Sequence, residues 1–321
     1  MRPPQVPPSF FGIAFGLAGL GAVWRAAAKP LGISLVAADV IFIAAAAVWV
    51  ILLATYLSQG WRQVLADFCD SALGAFVSLA VITPMLLATA LAPRAYSAAR
   101  ILVIIFLVLT VVLGGLIIGQ WIAANHDYDA SHPGYFLPTV AGPLVGAAAA
   151  AVVGLHQVAE TAFGVGVISW LVLGSITLNR LFFRPLLPAL LIPTMAIESA
   201  PPAVAGVAYF AIDGGRLDFV ARALGCYAIV MALVQLRLVP VYARLRFSPG
   251  FWAFTFSYAI VAVDALLWLK ATRPPGATAY AIVVVTLITL FIAAIAVRTL
   301  MALSRGQFFP ARRPPQPTPR H

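Results

Sequence analysis

The sequence predicts an all-α integral membrane protein, with ten transmembrane helices forming five helical hairpins around a central pore. Three observations predict this fold class: the composition, the recurrence of long apolar segments, and the placement of the prolines. Of the 321 residues, 63% are hydrophobic and 9% are charged. Because a soluble domain carries about 25% charged residues, this chain cannot cover a water-facing surface.

Apolar segments of roughly 20 residues recur along the whole chain, and this is the length that a helix needs to cross a bilayer. Since backbone groups in lipid must be satisfied internally, each segment is predicted to be a helix. The short connections predict antiparallel hairpins within one membrane domain, 10–303, between an N-terminal tail, 1–9, and a basic Pro-rich cytoplasmic tail, 304–321. The predicted spans are Phe10–Ala27, Ile33–Leu57, Ser71–Leu91, Ile101–Ala123, Tyr135–Leu155, Thr161–Leu178, Leu186–Ile212, Leu217–Leu236, Phe251–Leu269 and Tyr280–Leu303.

The basic residues predict the orientation of the chain. Of the 20 Lys and Arg residues, 12 fall on the side that holds both termini and 8 on the other. By the positive-inside rule, both termini of this multi-pass protein are expected in the cytoplasm, with the spans in the plasma (inner) membrane. The net charge of +10 is scattered between the spans and forms no recognition motif, so nucleic-acid binding is not expected.

Prolines inside the predicted spans occur in odd-numbered helices, and the first span carries glycines instead. Proline kinks a membrane helix and frees backbone groups, which then need a neighbouring helix or a water-filled cavity. Prolines can simply shape the packing of a bundle, but their confinement to alternate helices suggests an inner ring of odd helices and an outer ring of even ones. The resulting pore-lining candidates, with Phe254 of the ninth span, are Gly12, Gly16, Pro84, Pro138, Gly142, Pro143 and Pro193.

Three carboxylates lie well inside predicted spans: Asp39 in the second, Glu198 in the seventh and Asp264 in the ninth. Ionisable groups inside a membrane are expensive and are commonly functional. They can also pair with a neighbouring helix or lie near the interface, and both explanations stay open. Neither an acidic ring nor a proton relay is present in the pattern, so the sparse charge and the basic balance favour anions over cations.

The sequence contains no recognisable catalytic, cofactor or metal motif. It lacks a GxGxxG or Walker loop, HExxH and paired histidines at helical spacing. The two cysteines, Cys69 and Cys226, make no ligand or disulfide pattern and are expected to be small buried residues. The sequence therefore predicts neither an enzyme nor a bound cofactor or metal.

Four segments resemble the tellurite-resistance/dicarboxylate transporter family, which includes bacterial TehA and the plant slow-type anion channels. They are FFGIAFGLAGLGAVW (10–24), HPGYFLPTVAGP (132–143), GFWAFTF (250–256) and RGQFF (305–309). The segments lie in the family's order and extend from the first span to the C-terminus, so the resemblance covers nearly the whole chain.

The resemblance implies a TehA-like fold of five hairpins about a quasi-five-fold axis, with one pore in each protomer of a homotrimer. In this family a phenylalanine of the ninth helix closes the pore, and Phe256 in WAFTF matches that position. The plant channels have proline directly after this phenylalanine, whereas Ser257 stands here. Asp264 does match an aspartate of the plant members. The long phosphorylatable ends of the plant channels are missing, so gating by kinases is not carried over.

The leading functional hypothesis is a passive channel for small anions such as chloride, nitrate or malate-like ions. The alternative is a proton-coupled carrier for C4-dicarboxylates such as malate, or for sulfite or tellurite-related anions, with Glu198 or Asp264 as the protonated group. A carrier of this kind needs a midplane site and alternating access, and the sequence shows no clear inverted repeat. A membrane scaffold or intramembrane enzyme is a third possibility, but no polar constellation for it is visible.

Overall fold

The computed structural model describes residues 5–124 and 128–309. Within these ranges it has helices and no strand, and ten of the helices described are long and apolar enough to cross a membrane. A short helix, Trp61–Cys69, joins the second and third. We number the ten as span 1 to span 10: Pro8–Leu31, Val36–Leu57, Gly74–Leu91, Tyr96–Ala123, Pro133–Val152, His156–Phe183, Ile192–Ile212, Phe219–Tyr242, Pro249–Thr272 and Ala277–Ser304.

The number and order of the spans confirm the sequence prediction, but several helices are longer than their apolar segments. Span 6 runs over His156–Phe183 because its helix continues through polar residues at both ends of the apolar stretch. Span 8 continues past Leu236 to Tyr242 and so contains Pro240 in its last turn. Proline is therefore not confined to odd spans, although Pro240 is the one case within the described even spans and lies at a helix end.

Burial separates the spans into two groups. In the five odd spans, 61–78% of an apolar stretch of 18 residues is buried inside the protein, against 17–28% in the five even spans. The odd spans contact one another in the order 1, 3, 5, 7, 9, and span 9 packs back against span 1. Spans 2, 4, 6 and 10 each contact two neighbouring odd spans, as span 10 contacts spans 9 and 1. Span 8 contacts span 7 and, through the ring of Tyr242, Phe254 of span 9. This arrangement agrees with the predicted inner and outer rings.

The odd spans also begin differently from the even ones. Each described odd span opens with a 3-10 turn, at Pro8–Phe10, Gly74–Ser78, Pro133–Tyr135, Ile192–Ser199 and Pro249–Phe251. Four of these turns carry proline at their first or second position, where its missing N–H is not needed and its fixed φ suits a helix start. The five inner helices therefore share one local design at the same end of the bundle.

The expectation for the two cysteines differs from the structure. Both cysteines are exposed, so their predicted burial is wrong: Cys226 lies on the outer ring, and Cys69 ends the short helix. Phe308, in the predicted C-terminal tail, packs on Phe10 with ring centroids 4.9 Å apart. Residues 1–4 and 310–321 of the predicted tails lie outside the described residues, as do 125–127 of the central loop.

Candidate functional site

A cavity of about 1200 Å³ opens at the end of the bundle where the odd spans begin. All five odd spans contribute residues of their first turns or of the turns that follow, while no residue of the described even spans lines it. The deepest wall residues of the odd spans are Phe15, Leu79, Ala141, Ala200 and Ser257. They lie at similar distances along their helices, so the cavity, called the vestibule below, ends at one level.

The helix starts give the vestibule its electrostatic character. The first N–H groups of a helix have no partner within the helix, and the helix dipole places partial positive charge at that end. The first turns of spans 1, 3, 7 and 9 line the vestibule, and span 5 contributes its π-turn, Leu137–Ala141. The wall therefore carries partial positive charge from the backbone, without a Lys or Arg side chain among its described residues.

Two stacked phenylalanines close the inner end of the vestibule. The rings of Phe15 and Phe256 lie with centroids 3.7 Å apart at an interplanar angle of 22°. Both residues line the vestibule and are otherwise buried. Beyond them the bundle is filled by apolar side chains of the inner spans, including Ile82, Leu144 and Val263. The stacked pair therefore separates the open cavity from an apolar core.

Glycines of span 1 allow the close contact with span 9 that brings these rings together. A Cβ atom at Gly16 would lie 2.7 Å from Cβ of Thr255, and one at Gly19 would lie 3.1 Å from Cδ2 of Phe256. A Cβ atom at Gly12 would lie 3.6 Å from Cβ of Trp252. Spans 1 and 9 therefore pack nearly backbone to backbone, and the glycines predicted from sequence to line a pore serve in part to hold the two rings in contact.

Some of the predicted site residues lie on the vestibule wall, and the others pack against neighbouring helices. Phe256 and Gly12 are on the wall. Pro193 belongs to the first turn of span 7, 3.6 Å from a Cβ atom built at Gly250. Pro138 lies in the π-turn of span 5, Leu137–Ala141, whose two end residues are on the wall.

Seven of the candidates, with Gly16, Pro138 and Pro193 among them, are not wall residues. Pro84 is buried inside span 3, and a Cβ atom at Gly142 would meet Thr110 of span 4. Pro143 lines a separate shallow groove of about 300 Å³ between spans 4 and 6. Phe254 packs away from the vestibule, with its ring centroid 4.9 Å from that of Tyr242. Proline kinks and helix position alone do not tell which way a residue faces.

The three predicted charges also lie off the vestibule wall. Asp39 pairs with Arg94 and, at 3.4 Å, with Arg25, near the opposite end of the bundle. Glu198 and Asp264 are buried, and Oε1 of Glu198 and Oδ1 of Asp264 have no hydrogen-bond partner among the described residues. Asp264 packs against Gly206, where an added Cβ atom would lie 2.6 Å from Oδ1.

Two carboxylates that the sequence did not single out lie at the mouth of the vestibule. Asp67 accepts a hydrogen bond from Nε2 of Gln63 at 2.9 Å, and Asp70 accepts from the N–H groups of Ala72 and Leu73 at 2.9 Å each. Local hydrogen bonds thus hold both charges at the outer rim. Phe15 was also missed, although its setting between Gly12 and Gly16 is the signal that could have identified it.

His132 fixes the loop that forms one side of this rim. Its Nδ1 accepts a hydrogen bond from the N–H of Gly134 at 3.1 Å, and Nε2 donates to the carbonyl of Ala72 at 3.2 Å. Complete burial lowers the pKa of His132 to about 4, although the bond to Ala72 opposes this. The ring is therefore neutral near pH 7, and both of its nitrogens serve the packing of the loop.

Comparison with known proteins identifies the family. Residues 5–300 match the family model described as "SLAC1: Voltage-dependent anion channel". The tellurite resistance protein TehA homolog of Haemophilus influenzae is 28% identical over 312 residues, covering 96% of this chain and 94% of that protein. The guard cell S-type anion channel SLAC1 of Arabidopsis thaliana is 26% identical over 187 residues, which are 58% of this chain and 33% of the plant protein. S-type anion channel SLAH1 of the same plant is 28% identical over 175 residues, 53% of this chain and 45% of the relative. The sequence resemblance is thereby confirmed, and the chain belongs to the SLAC1 voltage-dependent anion channel family.

Proposed function

We propose that this chain is a passive channel for small anions, with a pore along the axis of the inner ring and a gate formed by Phe256 against Phe15. The observation that carries the proposal is the vestibule, which is walled by the first turns of four inner helices and the π-turn of the fifth and is closed by two stacked phenylalanines. The family's description as voltage-dependent anion channels supports the class of ion. Chloride, nitrate and malate-like anions are the expected permeants.

The vestibule offers an anion partial positive charges at the helix starts, and the fixed charges among its described wall residues are the carboxylates of Asp67 and Asp70. Backbone N–H groups at helix starts attract an anion without binding it as tightly as a desolvated Arg would. Weak attraction suits conduction, because a permeating ion must leave as readily as it enters. The relative permeabilities of anions should then follow the free energy needed to strip their water, with large, weakly hydrated anions favoured.

The stacked rings would act as the barrier. Moving an anion from water into an apolar constriction costs many kcal/mol, and a constriction lined by phenylalanine excludes water as well. Separating the rings forfeits an aromatic contact of about 1 kcal/mol beyond its buried area, which is small enough for a conformational change to supply. The gate is therefore closed at rest and open after Phe256 rotates away from Phe15.

A proton-coupled carrier for malate-like dicarboxylates, or for sulfite or tellurite-related anions, is the second candidate. The observation that favours it is the pair of buried carboxyl groups, Glu198 and Asp264, with oxygens that have no partner among the described residues. Neither group lines the vestibule, so neither would contact an ion that is bound there. The channel is therefore the better supported of the two proposals.

The remaining parts of the proposal concern the setting of the protein. We place both termini and the vestibule on the cytoplasmic side of the plasma (inner) membrane, because the basic residues are more numerous at that end. We also propose a homotrimer with one pore in each protomer. Ten apolar helices within the described residues require a lipid bilayer as the solvent of the outer ring.

The test is the anion current of Phe256→Ala in planar bilayers under a chloride gradient, compared with that of the parent. Phe254→Ala is the matched control, since Phe254 lies two residues away in the same span and is equally buried, but is absent from the vestibule wall. We expect a large chloride-selective current in Phe256→Ala and little in the parent or in Phe254→Ala. If all three are silent while proteoliposomes accumulate malate under a proton gradient, the carrier replaces the channel.

A further inference from the structure

Two faces of span 9 make different contacts. Trp252, Ala253, Phe256 and Ser257 lie on the vestibule wall. Successive residues of a helix are 100° apart, so residues two positions from Phe256 lie on the far side of span 9. That side carries Phe254 and Tyr258, which face spans 8 and 10 instead of the vestibule.

The far side of span 9 meets a buried glutamine of span 8. Gln235 is 6% exposed, and its Oε1 accepts a hydrogen bond from the hydroxyl of Tyr258 at 3.1 Å. The same oxygen accepts from the hydroxyl of Tyr242 at 2.8 Å. On its other side, Nε2 of Gln235 donates to the carbonyl of Met195 at 3.1 Å, in the 3-10 segment that begins span 7. One amide thus joins three spans.

A glutamine here needs an explanation, because the other described positions of span 8 that face the inner ring are small or apolar: Ala221, Gly225, Ala228 and Met231. A polar group that is buried in a membrane protein is held by hydrogen bonds to neighbouring helices. Gln235 has its oxygen and its amide nitrogen engaged, and both cross-span bonds end on elements next to the gate. Met195 lies between the wall residues Thr194 and Ile197, and Tyr258 follows the wall residue Ser257.

We propose that Gln235 is a positioning residue for the gate: its hydrogen bonds hold span 9 at the rotation that presses Phe256 onto Phe15. This inference rests on the proposed function, since it assigns a role in keeping a channel closed. Rotation of span 9 that carries Phe256 away from Phe15 also carries Tyr258 away from Gln235. The closed gate and the intact cluster are therefore coupled through one rigid helix, and loss of the cluster favours the open state.

The two tyrosines provide a matched pair of variants. Tyr258→Phe removes the one described side-chain hydrogen bond between spans 8 and 9 and leaves the ring in place. Tyr242→Phe removes a hydrogen bond of the same kind to the same oxygen, but within span 8, because Tyr242 and Gln235 share that helix. A cluster that only stabilises the bundle would respond similarly to both changes, whereas a cluster that positions span 9 responds to Tyr258→Phe.

The experiment measures single-channel chloride currents in planar bilayers for the parent, Tyr258→Phe, Tyr242→Phe and Phe256→Ala. Loss of one hydrogen bond between membrane helices should raise the ratio of open to closed states roughly threefold to tenfold. We expect that rise in Tyr258→Phe and not in Tyr242→Phe, with the unitary conductance and the chloride-to-nitrate permeability ratio unchanged because the pore wall is intact. Gln235→Met should produce a larger rise, and Phe256→Ala/Gln235→Met should conduct no more than Phe256→Ala.

Each other outcome overturns the proposal in a recognisable way. If Phe256→Ala conducts but Tyr258→Phe stays closed like the parent, Gln235 does not hold the gate and the channel proposal survives. Equal activation by Tyr258→Phe and Tyr242→Phe would mean that the cluster only stabilises the bundle. If Phe256→Ala itself carries no current, the gate proposal fails first and the positioning role falls with it. Should Gln235→Met not fold, Tyr258→Phe, which lacks a single oxygen atom, still decides the matter.

Discussion

The outer ring is more apolar in sequence than the inner ring, and the two rings follow different packing rules. Span 10 buries a single stripe, Ala281, Val285, Ile288, Ile292, Ile295 and Thr299, at the alternating spacing of four and three that keeps residues on one helix face. Span 5 is buried almost all round and starts with a 3-10 turn and a π-turn. The outer helix needs one face that fits protein and leaves the rest to lipid.

This difference indicates which helices of such a bundle can form a cavity for an ion. An outer helix in lipid must keep its hydrogen bonds regular, because no water can replace them. An inner helix can open with an irregular, proline-containing turn, since its freed backbone groups face a cavity. The irregular turns and the vestibule therefore occur together, at the start of the five odd spans.

The largest expected effect compares two glycines, one in each ring. Gly16→Ala places a methyl group against Thr255 and forces spans 1 and 9 apart, whereas Gly119 on span 4 has nothing within 4 Å of a built Cβ atom. We expect Gly16→Ala to lower the free energy of unfolding by about 3 kcal/mol or more. Gly119→Ala should be neutral or stabilise its helix by up to about 1 kcal/mol. Thermal unfolding in detergent measures both, and equal stability of the two variants would contradict the packing of spans 1 and 9.

The next effect concerns the histidine at the start of span 5. Because burial lowers the pKa of His132 to about 4, below its unfolded value of about 6.5, the fold favours the neutral ring. Its contribution to stability is complete above pH 6.5 and is lost as the pH falls towards 4, by roughly 3 kcal/mol in total. His132→Gln should flatten the loss of stability between these pH values. Thermal unfolding of the parent and His132→Gln in detergent between pH 4 and pH 7 measures this, and the same pH profile in both proteins would refute the assignment.

A smaller effect compares a leucine of the inner ring with one of the outer ring. Leu144 is 0% exposed and Leu116 is 59% exposed. Leu144→Ala leaves a hole among fixed neighbours and should cost about 2 kcal/mol, since lipid cannot fill it. Leu116→Ala exchanges one contact with lipid for another and should stay within about 0.5 kcal/mol. Unfolding of the two variants in the same detergent checks the comparison, which fails if Leu116→Ala is the less stable protein.

The fold was largely predictable because membrane insertion imposes a simple length and hydrophobicity rule. The ends of the spans were not, since helices such as span 6 continue through polar residues beyond the apolar stretch. Prolines indicated the inner ring, but Pro143 lies in a groove outside the vestibule, because a kink does not reveal which face of a helix is turned inward.

The candidate gate was only half predictable. Phe256 came from the family resemblance, and its partner Phe15 came from the packing of spans 1 and 9, which no local pattern encodes. Phe254 is two residues from Phe256, which is a turn of about 200° along a helix, and its ring therefore packs on Tyr242 and not on the vestibule. The carboxylates Asp67 and Asp70 could not be placed at the vestibule mouth from sequence, since a loop and the short helix bring them there.

The most direct test of the account asks whether Phe256 is the barrier between the vestibule and the apolar core. Val263 follows Phe256 by two helical turns, on the same face and beyond the stacked rings, and is 6% exposed. A small anionic thiol reagent, added from the side of the termini, should modify Val263→Cys slowly in the parent and at least tenfold faster with Phe256→Ala. The native Cys69, on the vestibule wall, should react at the same rate in both. Equal rates at position 263 with and without the Phe256 ring would contradict a gate at this position.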